Sequence, residues 1–572
     1  MQESIGPANP KNPYLCKMKK YSSKRSIQIL AHLLQQYGIS NIVLSPGSRN
    51  APLSIHFGEN DFFKSYSIVD ERSAAFVALG MAQSAGAPTA ICCTSGSAAA
   101  NYYPAVTEAF YQNIPLLILT ADRPTDYIDI FDGQTIRQQE LFKQHSYGDF
   151  QLLEDSDPDA HEHNWQTVRS AIELCLEKSG PVHINIPLSE PLYELTTELP
   201  VFPTIEPQTK KPFHELSSTL TAQWNTSRRI LILVGSQAPN TDLEAQLAQL
   251  VKNHSAVVLS EVNSNLSHPK FFRHIDRYIY NFTPQEFALY APDLLITVGQ
   301  NVVSKKVKQF LRKSNISQHW HVDPYWHPDT YFSLTERIKM APELFFNKLL
   351  STINLEPSPY FTLWDTLRAL KDALHENFTK NVEFSDLYLF RELAKSIPQD
   401  YVIHFSNSSA IRYAQLFEYP QKVYCNRGTS GIDGSTSTAM GFACKSAQPV
   451  LLITGDIGFF YDINGLWNNY IPPYTRIIIF NNSEGNIFKI IPGPDQANSN
   501  ILDEFIATRH QLNAELLARH YGFGYVRVEE ENSLERVLGS FFNPSEKPLI
   551  LEVDTAEAPN AEILRSYFKT LG

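Results

Sequence analysis

No apolar run in this 572-residue chain approaches the roughly 20 residues that a bilayer-spanning helix needs. No membrane association is expected. An excess of positive charge is also missing. Lys and Arg number 48 against 60 Asp and Glu, a net charge of −12, which argues against nucleic acid and anionic lipid as partners. The first 17 residues lack the apolar core of a secretory signal. They read as the start of a loose tail, residues 1–20, with Met18 as a second possible start. Cysteine is sparse: Cys16, Cys92, Cys93, Cys175, Cys425 and Cys444, with no CxxC pair. Reduced, buried thiols in a cytoplasmic protein are the expectation. The middle third has no GxGxxG fingerprint, only a weak VGSQAPN loop from Val234, so neither flavin nor nicotinamide is expected there.

What is present is globular: 43% hydrophobic and 19% charged residues, on a chain too long for one core. A stretch with Pro200, Pro203, Pro207 and Pro212 suits an extended linker. A weaker break, NLEPSPYF, precedes a helical pattern. The expected units are 21–198, a linker 199–215, a central unit 216–355, a linker helix 356–382 and a last unit 383–572. Within each, short apolar strands with polar carboxyl ends (NIVLSP, PTAICCTSGS, IPLLILTADRP, RRILILVGSQ, PDLLITVGQ, PVLLITGD, TRIIIFNN) alternate with helical patterns. The fold class is therefore α/β: three domains, each a parallel sheet flanked by helices, with ligands gathered at the carboxyl ends of the strands.

Two of those strand ends carry the most specific chemistry. Gly455-Asp456 closes one apolar strand, and Asn481-Asn482 closes another, with Asp456 and Asn482 26 residues apart. That interval holds a helix and a crossover, so the two ends can be neighbours. A carboxylate and an amide oxygen are hard ligands suited to a magnesium or manganese ion that takes its remaining ligands from a diphosphate. Either dipeptide alone would be an ordinary turn. At an earlier strand end, Ser45-Pro46-Gly47 breaks the chain and Arg49 follows at the mouth of the strand.

The Gly-Asp and Asn-Asn pair resembles the diphosphate signature of thiamine-diphosphate enzymes. Five further strings, SPGSRNAPL, TSGSAAANYYPAVTEA, LTADRP, GQTIRQ and NRGTSGIDGSTSTAMGFA, resemble more narrowly the 2-succinyl-5-enolpyruvyl-6-hydroxy-3-cyclohexene-1-carboxylate synthases of menaquinone biosynthesis. The resemblance runs from about Tyr21 to the end. It implies a pyrimidine-binding first unit and a diphosphate-binding last unit, and a transferase that decarboxylates 2-oxoglutarate and adds the four-carbon fragment to isochorismate. It also implies a homodimer or homotetramer with active sites between subunits. Glu71, in SIVDERSAAFVALGMA, matches the family glutamate whose carboxylate meets N1′ of the aminopyrimidine and favours the imino tautomer that activates the thiazolium. Taken alone it is an ordinary first-turn helix glutamate.

By the same resemblance, the cofactor contacts are Glu71, Thr94, Ser430, Ile432, Gly455, Asp456, Ile457, Asn482 and Ile487. The metal contacts are Asp456, Asn482 and the backbone carbonyl of Glu484. Both substrates are dianions, so guanidinium and ammonium groups should gather. The matching positions are Ser48, Arg49, Arg123, Lys305, Lys306, Ser408, Arg412 and Arg427, with Gln134 near the reacting oxygens. Ser408 and Arg412 are expected to hold the oxoglutarate-derived chain; Arg49, Arg123 and Lys305 or Lys306 are expected to hold isochorismate. A lone arginine is more often a solvated ion pair, and adjacent lysines often open a surface helix. Ile432 should support the bent cofactor and Phe488 should line the substrate pocket, although either residue alone fits ordinary core packing.

Two departures stand out. Relatives commonly run Asn-Asn-x-Gly-Gly where this chain has Asn482-Ser483-Glu484-Gly485; a backbone contact tolerates the change, but an extra carboxylate near a diphosphate is odd unless it points to solvent. Ile457 also replaces a glycine common in the wider superfamily. The alternatives are another thiamine-dependent 2-oxoacid decarboxylase or carboligase, or a non-catalytic metabolite-binding relative.

Overall fold

The computed structural model describes residues 19–205, 216–490, 493 and 498–572. Cys16, Met18, Pro207 and Pro212 lie outside the described residues. A two-residue strand, β1 (Tyr21–Ser22), precedes the first parallel sheet, which is built from β2 (Asn41–Leu44), β3 (Lys64–Ser67), β4 (Thr89–Cys93), β5 (Leu116–Asp122), β6 (Asp149–Gln151) and β7 (Val182–Pro187). Then β8 (Leu195–Thr196) returns to pair antiparallel with β1, a contact the sequence does not signal. The central sheet holds β9 (Ile230–Val234), β10 (Val257–Ser260), β11 (Leu294–Val298), β12 (Gln318–Val322) and β13 (Glu336–Ile338). The third holds β14 (Val402–Phe405), β15 (Lys422–Tyr424), β16 (Val450–Gly455), β17 (Arg476–Asn481), β18 (Gly524–Val528) and β19 (Leu549–Asp554). These are the three parallel, helix-flanked sheets expected. No helix of the described residues is long and apolar enough to cross a membrane.

The strand orders decide where ligands can bind. They run β3-β2-β4-β5-β7-β6, β10-β9-β11-β12-β13 and β15-β14-β16-β17-β19-β18. Each reverses direction beside its first strand, which opens a crevice at the carboxyl ends there. In the first sheet the crevice lies between β2 and β4, in the third between β14 and β16. The central strands β4, β5 and β17 are buried along their whole length, the signature of sheets covered on both faces.

The first and third sheets are locked together by two helices, Glu71–Ala85 and Ser435–Lys445, that cross with almost nothing between their backbones. A Cβ on Gly80 would lie 2.0 Å from the Thr438 carbonyl oxygen, and one on Gly441 would lie 2.0 Å from that of Val77. Helix backbone cannot yield as a side-chain end can. Gly441→Ala is therefore expected to cost about 3 kcal/mol of stability through overpacking, read as a fall in the thermal unfolding temperature. Gly539→Ala is the control. It sits in the helix Glu531–Phe541 with nothing within 4 Å of its would-be Cβ, and should gain up to about 1 kcal/mol from helix propensity.

Candidate active site

In the third sheet, β16 ends at Gly455 and Asp456 opens the helix Asp456–Tyr461. Asp456 is buried. Its Oδ1 accepts the Ile457 N–H at 2.7 Å, while Oδ2, also buried, has no hydrogen-bond partner among the described residues. On the adjacent strand, β17 ends at Asn481, and the buried Asn482 follows. The Nδ2 of Asn482 donates to Asp386 Oδ2 at 3.0 Å, and its Oδ1 has no partner among the described residues. Asp386 is completely buried, and burial pushes its carboxyl up to about 6. It also accepts the Thr555 hydroxyl at 2.6 Å. These bonds fix which way the Asn482 amide faces, leaving its oxygen bare. The Glu484 carbonyl accepts one N–H, from Asn486 at 3.0 Å, and keeps a second lone pair. Among the described residues, no cluster of three or more His, Cys, Asp or Glu side chains is built to hold a metal. The donors here are instead a carboxylate, an amide and a carbonyl, all hard oxygens. Two of them are buried and unsatisfied, a costly state that a divalent cation would relieve.

The Glu484 side chain resolves the oddity in another way. It does not point to solvent: it is 12% exposed, held by Lys489 at 2.6 Å with Arg509 at 3.7 Å. Nearby cations, rather than water, offset the extra carboxylate.

At the first sheet's crevice, Gly47 passes so close to Thr94 that a Cβ there would lie 2.3 Å from the Thr94 Cβ. The loops after β2 and β4 therefore touch. Glu71 is the first residue of its helix, but Asp70 is the cap, accepting the N–H groups of Arg72 and Ser73. Asp70 also accepts from Asn464 Nδ2 at 2.7 Å, and Arg72 donates to the Tyr461 carbonyl, which joins this helix start to the third sheet. Among the described residues the Glu71 carboxylate has no hydrogen bond or ion pair. Its half-buried position is not explained by capping. Gln134 is exposed and donates to the Ser95 carbonyl at 3.1 Å.

The cations fall into two groups. Arg49 is buried at the end of β2, donating to the Leu188 carbonyl at 2.7 Å and lying 3.4 Å from Glu190. Burial, then the neighbouring Arg123, pulls its guanidinium below the ordinary value. Arg123 Nε is 3.6 Å from Asp132, too far for a hydrogen bond, and both atoms are otherwise unpaired. Exposed Ser48 lies 3.4 Å from the Tyr193 hydroxyl. The second group is Arg412, Arg427 and Lys306. Among the described residues, half-buried Arg412 has no hydrogen bond or ion pair, and burial lowers its pKa. Arg427 donates to Asn407 Oδ1 at 3.0 Å. Lys306 sits 4.1 Å over the Tyr280 ring and faces the half-buried Asp276, as Arg412 does. The structure thus brings Lys306 to Arg412, whereas the charges acting on Arg49 are Arg123, Glu190, Asp132 and Asp122. Lys305 is exposed, at the start of the helix Lys305–Lys313.

Backbone strain marks the same places. Gln134, Ser408, Ser430 and Ser483 have φ of 61°, 70°, 66° and 60°, a region that costs a non-glycine residue about 1–3 kcal/mol and tends to persist at functional sites. The apolar residues Ile432, Ile487 and Phe488 are half-buried and belong to none of the hydrophobic clusters. Ile457 is half-buried on the first turn after Gly455.

Several supporting residues escape sequence reasoning. Glu108, buried on the helix Tyr103–Gln112, accepts Gly428 N–H at 2.7 Å, Thr429 N–H at 2.6 Å and the Thr429 hydroxyl at 2.5 Å, fixing the loop that carries Arg427 and Ser430. Gln138 accepts Gly96 N–H at 2.8 Å. The buried Glu261 accepts the N–H groups of Val303 and Ser304, and burial pushes it up to about 7. Glu108 and Gln138 do lie inside two of the quoted strings, but a polar residue on an otherwise apolar helix face was the only sign of the first.

Comparisons with known proteins bear on the whole chain. Residues 25–147 match the thiamine pyrophosphate enzyme N-terminal TPP binding domain, residues 204–404 the middle domain of thiamine pyrophosphate, and residues 406–553 the C-terminal TPP binding domain. The chain is 45% identical to the 2-succinyl-5-enolpyruvyl-6-hydroxy-3-cyclohexene-1-carboxylate synthase of Flavobacterium johnsoniae, covering 95% of this chain and 98% of that one. It is 43% identical to the protein of that name from Flavobacterium psychrophilum, over 95% and 98% of the two chains. The protein of that name from Christiangramia forsetii is 41% identical, over 96% and 99%.

Proposed function

The chain belongs to the 2-succinyl-5-enolpyruvyl-6-hydroxy-3-cyclohexene-1-carboxylate synthase family of thiamine-diphosphate enzymes, and we propose that it joins a succinyl unit from 2-oxoglutarate to isochorismate with loss of carbon dioxide. It is a transferase, a thiamine-diphosphate-dependent carboligase of menaquinone biosynthesis. The observation that carries the reading is the pair of bare, buried oxygens, Asp456 Oδ2 and Asn482 Oδ1, at neighbouring strand ends.

Asp456, Asn482 and the Glu484 carbonyl would hold Mg2+ or Mn2+ and, through it, the cofactor's diphosphate. Bound thiamine diphosphate supplies the nucleophilic carbon and the electron sink for decarboxylation. Glu71, free of other partners among the described residues, would hold a proton at the aminopyrimidine. Ile432 and Ile487 offer apolar support, and Thr94, Ser430, Gly455 and Ile457 complete the cofactor walls. Arg412, Arg427 and Ser408 orient the carboxylates of one substrate, with Lys306 and Lys305 at their edge. Arg49 and Arg123, with Ser48, clamp the other, while Gln134 and Phe488 border the reacting centre. Residues 21–198 would carry the aminopyrimidine half and residues 383–572 the diphosphate half.

A homodimer or homotetramer is the assembly we favour. Support comes from large apolar side chains left in solvent near the site loops, among them Ile130, Phe131, Val69 and Trp467. A cytoplasmic location agrees with five unpaired cysteines, Cys92, Cys93, Cys175, Cys425 and Cys444.

The test is to mix the protein with thiamine diphosphate, magnesium, 2-oxoglutarate and isochorismate and follow the isochorismate absorbance. Loss that needs every component supports the reading. Carbon dioxide released while isochorismate stays intact would move the chain to the 2-oxoacid decarboxylases. Cofactor binding without any turnover would move it to the metabolite-binding proteins.

A further inference from the structure

No histidine enters the site from the sequence, yet one stands beside the bare oxygens. We propose that His510 is a diphosphate-binding residue, its Nε2–H donating to a phosphate oxygen of the cofactor. The inference rests on the thiamine-diphosphate reading above and adds a residue to it.

The placement of His510 is built, not incidental. Three hydrogen bonds fasten the 507–512 segment to the metal-ligand loop: Gly485 N–H to the Ala507 carbonyl at 2.6 Å, His510 N–H to the Ser483 carbonyl at 2.9 Å, and Asn481 Nδ2 to the Leu512 carbonyl at 2.9 Å. The imidazole packs edge-on to Phe460, with centroids 5.6 Å apart and planes at 89°. Its Nδ1 accepts the Leu512 N–H at 3.1 Å. An Nδ1 used as an acceptor leaves the ring proton on Nε2.

That donor points into the site without an acceptor. Nε2 lies 3.2 Å from Asp456 Oδ2, but the direction of the N–H is wrong for a hydrogen bond, and among the described residues both buried atoms lack a hydrogen-bond partner. A buried donor left so costs about 1–3 kcal/mol. The tautomer also excludes a metal role, because the protonated Nε2 has no lone pair to give. A cation on Asp456 would claim Oδ2. The acceptor then within reach of Nε2–H is the anion that the cation holds. A neutral donor on a phosphate oxygen is a charge-assisted bond, of the stronger class.

The experiment compares His510→Phe and His510→Gln with the unaltered full-length protein. Thiamine diphosphate affinity is measured by calorimetry in the presence of magnesium. Mn2+ affinity without cofactor is measured by electron paramagnetic resonance. His510→Phe keeps the ring volume and loses the donor. It should weaken cofactor binding by about 10- to 100-fold, leaving Mn2+ binding within twofold. His510→Gln sets an amide N–H near the Nε2 position and should recover most of the affinity. The proposal is overturned if the phenylalanine variant binds cofactor as tightly as the unaltered protein. It is equally overturned if Mn2+ affinity falls in parallel, because His510 would then only support Asp456, or if glutamine fails to rescue. An unaltered protein that binds no thiamine diphosphate would instead bring down the cofactor reading itself.

Discussion

Glu71→Gln should lower turnover about a thousandfold, within the range for losing a positioned acid–base group, and leave the fold and cofactor binding in place. The separation of these effects follows from local structure. The helix cap is Asp70, which bonds Arg72 and Ser73, so the helix start does not depend on the Glu71 side chain. That side chain has no other partner among the described residues, and glutamine matches its size. What glutamine cannot do is hold a proton as a carboxylate does at the aminopyrimidine. Turnover should be measured with saturating cofactor, beside a calorimetric affinity for thiamine diphosphate. Activity within tenfold of normal would sink the assignment of Glu71. A parallel collapse of thermal stability would recast it as a structural residue.

Glu108→Ala should cost about 3–5 kcal/mol, because it strips partners from several buried donors at once. Gly428 N–H, Thr429 N–H and the Thr429 hydroxyl all end on this carboxylate, which comes from a different sheet unit than the loop it holds. Gln112 Nε2 donates to it as well. The hydroxyl can turn away, but the backbone donors cannot. The same loop carries Arg427 and the strained Ser430, so loss of stability should come with a raised KM for 2-oxoglutarate. Glu108→Gln should fall in between, since its amide N–H₂ would face a donor. Chemical denaturation gives the first quantity and steady-state kinetics the second. A stable Glu108→Ala enzyme with ordinary KM would show that the loop holds itself.

The sheets were legible where strands are buried on both faces. Thr89–Cys93, Leu116–Asp122 and Val450–Gly455 are nearly continuous apolar runs, and that pattern has few other readings. The strands that gave no signal are those whose neighbours, not their composition, make them strands. Lys64–Ser67 is polar and half-exposed on the edge of its sheet. Gln318–Val322 reads QHWHV, yet His319 and His321 are buried because both bond to Thr297 on the next strand. The candidate site divides in a similar way. Residues in contiguous strings, such as Asp456 and Asn482, announce themselves through spacing. Asp386, Glu108 and His510 act through partners from 54 to 321 residues away, and nothing in a linear reading ties them together. Glu484 was legible as an oddity, but the cations that settle it, Lys489 and Arg509, are brought to it only by the fold.

The close helix crossing at Gly80 and Gly441 has a symmetry in it. Each of the two helices follows the second strand of its own sheet unit, and the two units share one strand order. Gly80 abuts the Thr438 carbonyl, and Gly441 abuts that of Val77. The contact is thus nearly self-complementary, the kind normally found between two identical subunits. The chain is in effect a dimer written in one polypeptide, the arrangement that duplication and fusion of a six-stranded ancestor would leave. One unit has Glu71 at the head of its helix. The other carries the strained Ser430 and Ile432 loop there, and its next strand ends at Gly455, directly before Asp456.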